Sequence, residues 1–420
     1  MFVIWTILVS FLIVELGIRG FFATKIGPSV LLYGTPWTIR EMDPFQQQAN
    51  DDNHTVKHHE NDLGSYSKYF PYQERVDHDS ASGEIYRVTI NNRGFRGRDI
   101  LEEKPTGVVR VVTLGGSSTF GYYDRDDETY PHYLEEFLNE STSNTHTFEV
   151  INLGIPHMRS NQIFSIFIAE ALPLQPDVVT FYEGVNDSAF RGQVGRPREG
   201  EMTTDSDDNG KAITENNQGS VPAAFEGPID MRDRLSRLAP LRTLYRFLRE
   251  YLVSVKFVDT LIVTPGKVYS KEELDDHVSG KSEFFLENIN AIRAECERRG
   301  ILFVVANQQA QSLSMDPEDL AEISYWEESQ QTQRKLERKG FLTYRELCFL
   351  THNVLMKDLA DWAQDENVPF VDIIAELDGS RDDLLSWVHV SPAGNRVIAR
   401  AFGGEILSRF SGAPSMGVGQ

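Results

Sequence analysis

VVRVVTLGGSSTFG, residues Val108–Gly121, joins a run of valines to a pair of glycines. Five of its first seven residues are apolar and four are valine, the composition of a buried strand. Gly115-Gly116-Ser117-Ser118-Thr119 follows at once, and glycines let a chain turn where a side chain would clash. Beyond the turn, the spacing from Glu128 to Glu140 predicts a helix. Ser117 therefore falls in a strand-to-helix connection at the carboxyl end of a parallel strand, the edge where open α/β sheets bind ligands. A Gly-Ser loop is also what a plain βα turn looks like. A phosphate cradle is not supported, because the Walker Gly-Lys-Ser/Thr is missing. The strict G-x-S-x-G elbow is missing too, since Thr119 holds its last position.

Further strands are predicted at Phe148–Asn152, Asp177–Tyr182, Ile301–Ala306 and Pro369–Ile373, separated by helical patterns. That alternation argues for a doubly wound parallel sheet. One long interruption, Phe190 to Lys281, contains an acidic, Gly/Asn/Thr/Ser-rich run (Glu199–Gly227) and a helical pattern from Arg232 to Val255. Insertions of that length serve as lids or partner surfaces, or as uninvolved excursions.

With 420 residues, 40% of them hydrophobic, the chain can bury a sizeable core. Its net charge of −22 argues against nucleic acid and anionic membrane surfaces as partners. It leaves an apolar anchor possible. Phe2 to Ala23 is largely apolar, broken by Glu15 and Arg19 four residues apart, and as a helix would span about 33 Å, enough for a bilayer core. We expect an N-terminal membrane anchor over residues 1–24. A cleaved signal peptide or an amphipathic surface helix are the alternatives. Arg19, Lys25 and Arg40 all follow the run. The positive-inside rule alone would put the body in the cytoplasm, and the side is otherwise left open. Residues 25–107 read as an exposed linker (Glu41–Gly64) and a small β appendage, with a strand at Ile85–Ile90 and a turn at Asn91–Gly94. Residues 108–420 form the main domain. Cys296 shares a helical face with Phe285, Ile289 and Ile292, Cys348 lies in a second helical pattern, and His58-His59 reads as a solvated loop pair. No zinc-ligand spacing is present.

Three more loops complete a constellation at the expected sheet edge. They are Asn152-Leu153-Gly154-Ile155-Pro156-His157, Glu183-Gly184-Val185-Asn186-Asp187, and Trp387-Val388-His389-Val390-Ser391-Pro392. A carboxamide such as Asn186 can donate to a developing oxyanion. A histidine just before a helix can serve a serine as base. Taken singly, Asn186-Asp187 is also an ordinary turn and His389 an ordinary buried histidine.

Together these motifs resemble the SGNH (GDSL-type) hydrolase family. Leu114–Gly121 resembles its first block, Gly184-Val185-Asn186-Asp187 its third, and His389 with Ser391-Pro392-Ala393-Gly394 its fifth. Ile90–Gly97 resembles the lead-in of membrane-anchored bacterial members. The resemblance implies a three-layer αβα sandwich, flavodoxin-like, on a doubly wound parallel sheet of about five strands. It implies Ser117 as nucleophile and His389 as general base. The oxyanion hole would be the Ser117 N–H, the Asn186 side chain and a backbone N–H of the second block. No metal or organic cofactor is implied. Three positions depart from the family pattern. Gly116 stands where an aspartate outside the triad is usual, His157 where the oxyanion glycine is usual, and Ser386 where the triad aspartate is usual, three before the histidine. Asp382 or Asp383 could substitute for that acid, or Ser117 and His389 could act as a dyad with Ser386 holding the ring. The six- or seven-residue separation favours the dyad. The expected function is a membrane-anchored esterase acting through an acyl-enzyme on a small-molecule, lipid or carbohydrate ester. An O-acyltransferase of the same fold, or a catalytically impaired binding protein, are the alternatives.

Overall fold

The computed structural model describes residues 56–412 apart from 62–63, 79–84, 143–145, 191–268 and 314–316. The candidate anchor, most of the linker and most of the insertion lie outside the described residues. Among the described residues no helix is long and apolar enough to cross a membrane. All of them fall in one compact unit.

Two hairpins come first. β1 (Val56–Asn61) pairs antiparallel with β2 (Gly64–Tyr69), and β3 (Arg75–His78) with β4 (Ile85–Val88). The polar run read as linker therefore ends in a strand, and His58-His59 sits on that strand instead of in a loop. The His59 ring stacks on Tyr66 at 5.1 Å. Its polar sequence misleads because a hairpin is held by backbone pairing, and here the apolar burial comes from Tyr66 and Tyr69 on the partner strand.

Five parallel strands follow: β5 (Val108–Gly115), β6 (Thr147–Asn152), β7 (Val178–Tyr182), β8 (Leu302–Ala306) and β9 (Phe370–Val371), in the order β6-β5-β7-β8-β9. Each matches an expected strand to within two residues at either end. β7 is buried along its whole length, because helices cover both faces. The period of two sorts its side chains. Val178 and Tyr182, with Val111 of β5 and Val304 of β8, face Tyr130–Ser141 and Pro392–Gly412 through Tyr130, Leu134, Ile398 and Phe402. Phe181 faces the other layer, where its ring meets Phe285 of Lys281–Arg299 edge-on at 6.0 Å. Cys296 is buried with Phe285, Ile289 and Ile292, as the spacing predicts. The helix predicted from Glu128 begins at Tyr130, where the Thr129 hydroxyl caps it.

The far end of the insertion is ordered structure. Lys271–Val278 is a helix with a Ser270–Glu273 capping box, and Lys281 already belongs to the next helix. Lys281 donates to the carbonyls of Ser188 and Phe190, so it closes the chain just before the interruption.

The segment carrying His389 rests on an ion pair. Arg381, fully buried, lies 2.5 Å from Glu328 of the helix Tyr325–Lys339 and donates to the carbonyls of Ile323 and Ala310. Removing one partner of such a pair leaves an uncompensated buried charge. Arg381→Ala should therefore lower unfolding free energy by about 3–5 kcal/mol in urea titrations. A loss below about 1 kcal/mol would mean the pair behaves as a solvated one.

Candidate active site

At the carboxyl edge of the sheet, β5 and β7 end side by side, with Gly115 in register with Tyr182. Close approach, more than backbone conformation, demands the two glycines. A methyl group on Gly115 would stand 2.1 Å from the Thr119 hydroxyl and 2.4 Å from the Tyr182 carbonyl oxygen. One on Gly116 would stand 2.2 Å from Glu183 Oε2 and 2.6 Å from Asn186 Nδ2. Ser117 then opens a one-turn helix, Ser117–Phe120.

The structure brings Ser117 and His389 together: Nε2 lies 2.8 Å from Oγ, and both residues are almost fully buried. On the other side of the ring, Nδ1 lies 2.8 Å from Ser386 Oγ. Ser386 Oγ also accepts the N–H groups of His389 (3.1 Å) and Val388 (3.3 Å). Ser386 thus fixes the ring in place, and it carries no charge. Asp383 binds elsewhere in the loop. Its carboxylate accepts the Ser391 hydroxyl at 2.5 Å, while Asp382 is exposed. Burial, with the nearby His157 imidazole adding to it, pushes His389 down to about 3. Tyr122 and Tyr123 wall the ring at 5.6 and 5.5 Å.

Asn186 lies on the short helix Val185–Ala189, its Nδ2 beside Gly116 and donating to the Met158 carbonyl at 3.0 Å. Its own N–H donates to Glu183 Oε1 at 2.9 Å. Burial pushes the Glu183 carboxyl up to about 8. Asp187 is more than a turn residue. It accepts both the N–H (2.8 Å) and the hydroxyl (2.7 Å) of Ser160, so it ties this loop to the one carrying His157. His157 has φ +65°, the left-handed region that glycine enters freely. The histidine thus keeps the backbone conformation that a glycine would have there. Gly154 has a different role: a methyl group on it would stand 2.4 Å from the Phe120 nitrogen, so it lets the second loop pack against the Ser117 turn.

Several supporting residues escaped the sequence reading. Gln308, just beyond β8, accepts the Val185 N–H and donates to Ser118 Oγ, which donates to the Val388 carbonyl. One buried side chain and one hydroxyl thus join the three loops carrying Ser117, Asn186 and His389. Gln311 donates to the Ser386 carbonyl and accepts nothing from it, while its own N–H reaches Trp387 O. Arg96 donates to the carbonyls of Phe120, Gly121 and Asp124, holding the chain after the serine. The legible signal was Asn-Gln-Gln-Ala-Gln, residues 307–311, directly after an apolar strand. Amides in such a place must find partners.

A buried serine thus stands beside a histidine at the carboxyl edge of a five-stranded parallel sheet, where the sequence reading expects the site of an ester hydrolase. Residues 113–323 match the GDSL-like Lipase/Acylhydrolase family, half of the chain. The chain belongs to that family, and it is an ester hydrolase. Among solved structures it is similar to the lipase/acylhydrolase of Enterococcus faecalis (13% identity, 72% of this chain and 96% of that one, TM-score 0.38). It is also similar to a GDSL-like lipase of Bacteroides thetaiotaomicron (12%, 71% and 88%, TM-score 0.35). A third likeness is to a catalytic mutant of an acetylxylan esterase from Geobacillus stearothermophilus (14%, 71% and 94%, TM-score 0.35). No curated protein matches the chain.

The pH profile tests the Ser386 arrangement. His389 acts as base only when neutral, and a group pushed down to about 3 stays neutral through mildly acid pH. kcat/KM should hold its plateau down to about pH 5, well below the usual histidine range. An aspartate beside Nδ1 favours the imidazolium. Ser386→Asp should therefore raise kcat at neutral pH and move the acid limb upward, whereas Asp383→Asn leaves that limb in place. A wild-type limb near pH 6.5, or one that Ser386→Asp does not move, would overturn this account.

Proposed function

We propose that the protein is a membrane-anchored serine esterase that removes O-acyl groups from a carbohydrate or lipid through an acyl-enzyme on Ser117. The observation that carries the reading is the continuous contact Ser117–His389–Ser386, 2.8 Å at each step, beside the Asn186 amide. Ser117 Oγ attacks the ester carbonyl carbon as its proton passes to His389 Nε2. The carbonyl oxygen becomes an oxyanion facing the Ser117 N–H, the Asn186 side chain and the His157 N–H. Collapse expels the alcohol, which takes the proton from His389. Water then attacks the acyl-enzyme, gives its proton to the same nitrogen, and releases the acid and free Ser117. Preorganised donors to the oxyanion supply roughly 100- to 1,000-fold each. Burial disfavours the imidazolium of His389, so proton transfer should be slower than for a base tuned near neutral pH.

A panel of acetyl to long-chain esters tests this. Wild type should hydrolyse short-chain members and react with a fluorophosphonate at Ser117. Ser117→Ala should do neither. Asn186→Ala should lower kcat by roughly 100-fold or more with little change in KM. Labelling that persists in Ser117→Ala sinks the nucleophile assignment. Transfer to an added sugar hydroxyl in place of water would identify the acyltransferase instead. The anchor reading rests on the apolar run Phe2–Ala23. A chain starting at Thr55, which keeps β1, should stay in solution without detergent and retain the esterase activity, while the full chain partitions with membranes.

A further inference from the structure

Residues 116 and 183 leave the ends of neighbouring strands together, one position beyond the Gly115–Tyr182 register pair. Gly116 has no side chain, and the Glu183 carboxyl fills the space beside it. Glu183 is fully buried, and its Oε2 lies 2.2 Å from where a Gly116 β-carbon would be. Oε1 accepts the Asn186 N–H at 2.9 Å, with the Gly184 and Gly116 amides also facing the carboxyl. The Asn186 side-chain nitrogen lies over the same glycine, 2.6 Å from that β-carbon position. So one carboxyl touches the residue before the nucleophile, the residue after itself, and the backbone of the carboxamide residue. The Glu183 carboxyl, arriving from the adjacent strand, occupies the space that a side chain at position 116 would need.

We propose that Glu183 is the positioning residue of this site: its carboxyl, crossing from β7 into the space over Gly116, sets the Ser117 turn and Asn186 in mutual register, doing from position 183 what a side chain at 116 would do. It touches no reacting atom and acts through Asn186 and the turn. The inference rests on the Ser117 esterase reading for its kinetic readout, and it has a second readout that needs no catalysis.

The geometry predicts reciprocal dependence, because positions 116 and 183 compete for one volume. Gly116→Asp alone drives a β-carbon into Glu183 and should reduce kcat roughly 100-fold, the scale of a misplaced reacting group. Glu183→Ala empties the volume, frees the Asn186 N–H and should also reduce kcat roughly 100-fold with KM little changed. Glu183→Gln keeps an acceptor oxygen and should recover most of the Glu183→Ala loss. The combined Gly116→Asp/Glu183→Ala chain returns one carboxyl to the space and should exceed either single variant by roughly ten-fold or more, the non-additivity of groups in contact. Hydrogen exchange of the Asn186 amide should follow the same order: protected in wild type, exposed in Glu183→Ala, protected again in the combined variant. An unaltered kcat and an unaltered Asn186 amide in Glu183→Ala would overturn the proposal. So would a combined variant no better than the worse single one. Where Glu183→Ala fails to fold, the comparison of Gly116→Asp with the combined variant decides. Failure of the esterase reading looks different: wild type then shows no Ser117-dependent hydrolysis or labelling, while the amide-exchange series still reports on Glu183.

Discussion

The close approach of β5 and β7 at their carboxyl ends is the constraint from which the site follows. Gly115 has no room for a methyl group against the Tyr182 carbonyl and the Thr119 hydroxyl, and Gly116 none against Glu183 and Asn186. Parallel register then brings the nucleophile turn and the Gly-Val-Asn-Asp loop into contact without any long-range adjustment. Gly154 does the same for the third loop, packing directly on the Phe120 nitrogen. Three loops from three strands thus meet over a few ångströms because their contact points lack side chains.

Buried polar groups in these loops need partners, and leaving one unmade costs about 1–3 kcal/mol. The partners are long polar side chains brought in from outside the loops. Gln308 serves the Val185 N–H and Ser118, Gln311 the Ser386 carbonyl, and Arg96 the carbonyls of Phe120, Gly121 and Asp124. Arg381 and Glu328 do this below the histidine segment. These residues connect preorganisation to chemistry: with the loops so held, the Ser117–His389 contact exists before substrate arrives.

The same burial limits the base. Desolvation disfavours the imidazolium, and the hydroxyl of Ser386 offers no charge to offset it. The ring is held where a triad histidine would be, without the electrostatic help that an aspartate supplies.

The sequence by itself determined the sheet and the order of the site. Short apolar runs at Val108–Gly115, Thr147–Asn152, Val178–Tyr182, Leu302–Ala306 and Phe370–Val371, separated by helical patterns, specify five parallel strands, because burial on both faces demands apolar residues. The loops at their carboxyl ends then carry Ser117 and Asn186 to one edge by topology alone. Ser386 as partner of His389 was legible only through the family resemblance, which sets the residue three before the histidine at that place. What tertiary structure alone decided is how those loops are satisfied. The strand at Val56–Asn61 is written in polar residues because backbone pairing holds it. The left-handed backbone of His157 is imposed by the loop around it against the preference of its side chain. The reach of Gln308, Arg96 and Glu183 into loops distant along the chain leaves no local periodicity, because a long polar side chain finds its partner by spatial proximity, and proximity exists only once the strands have paired.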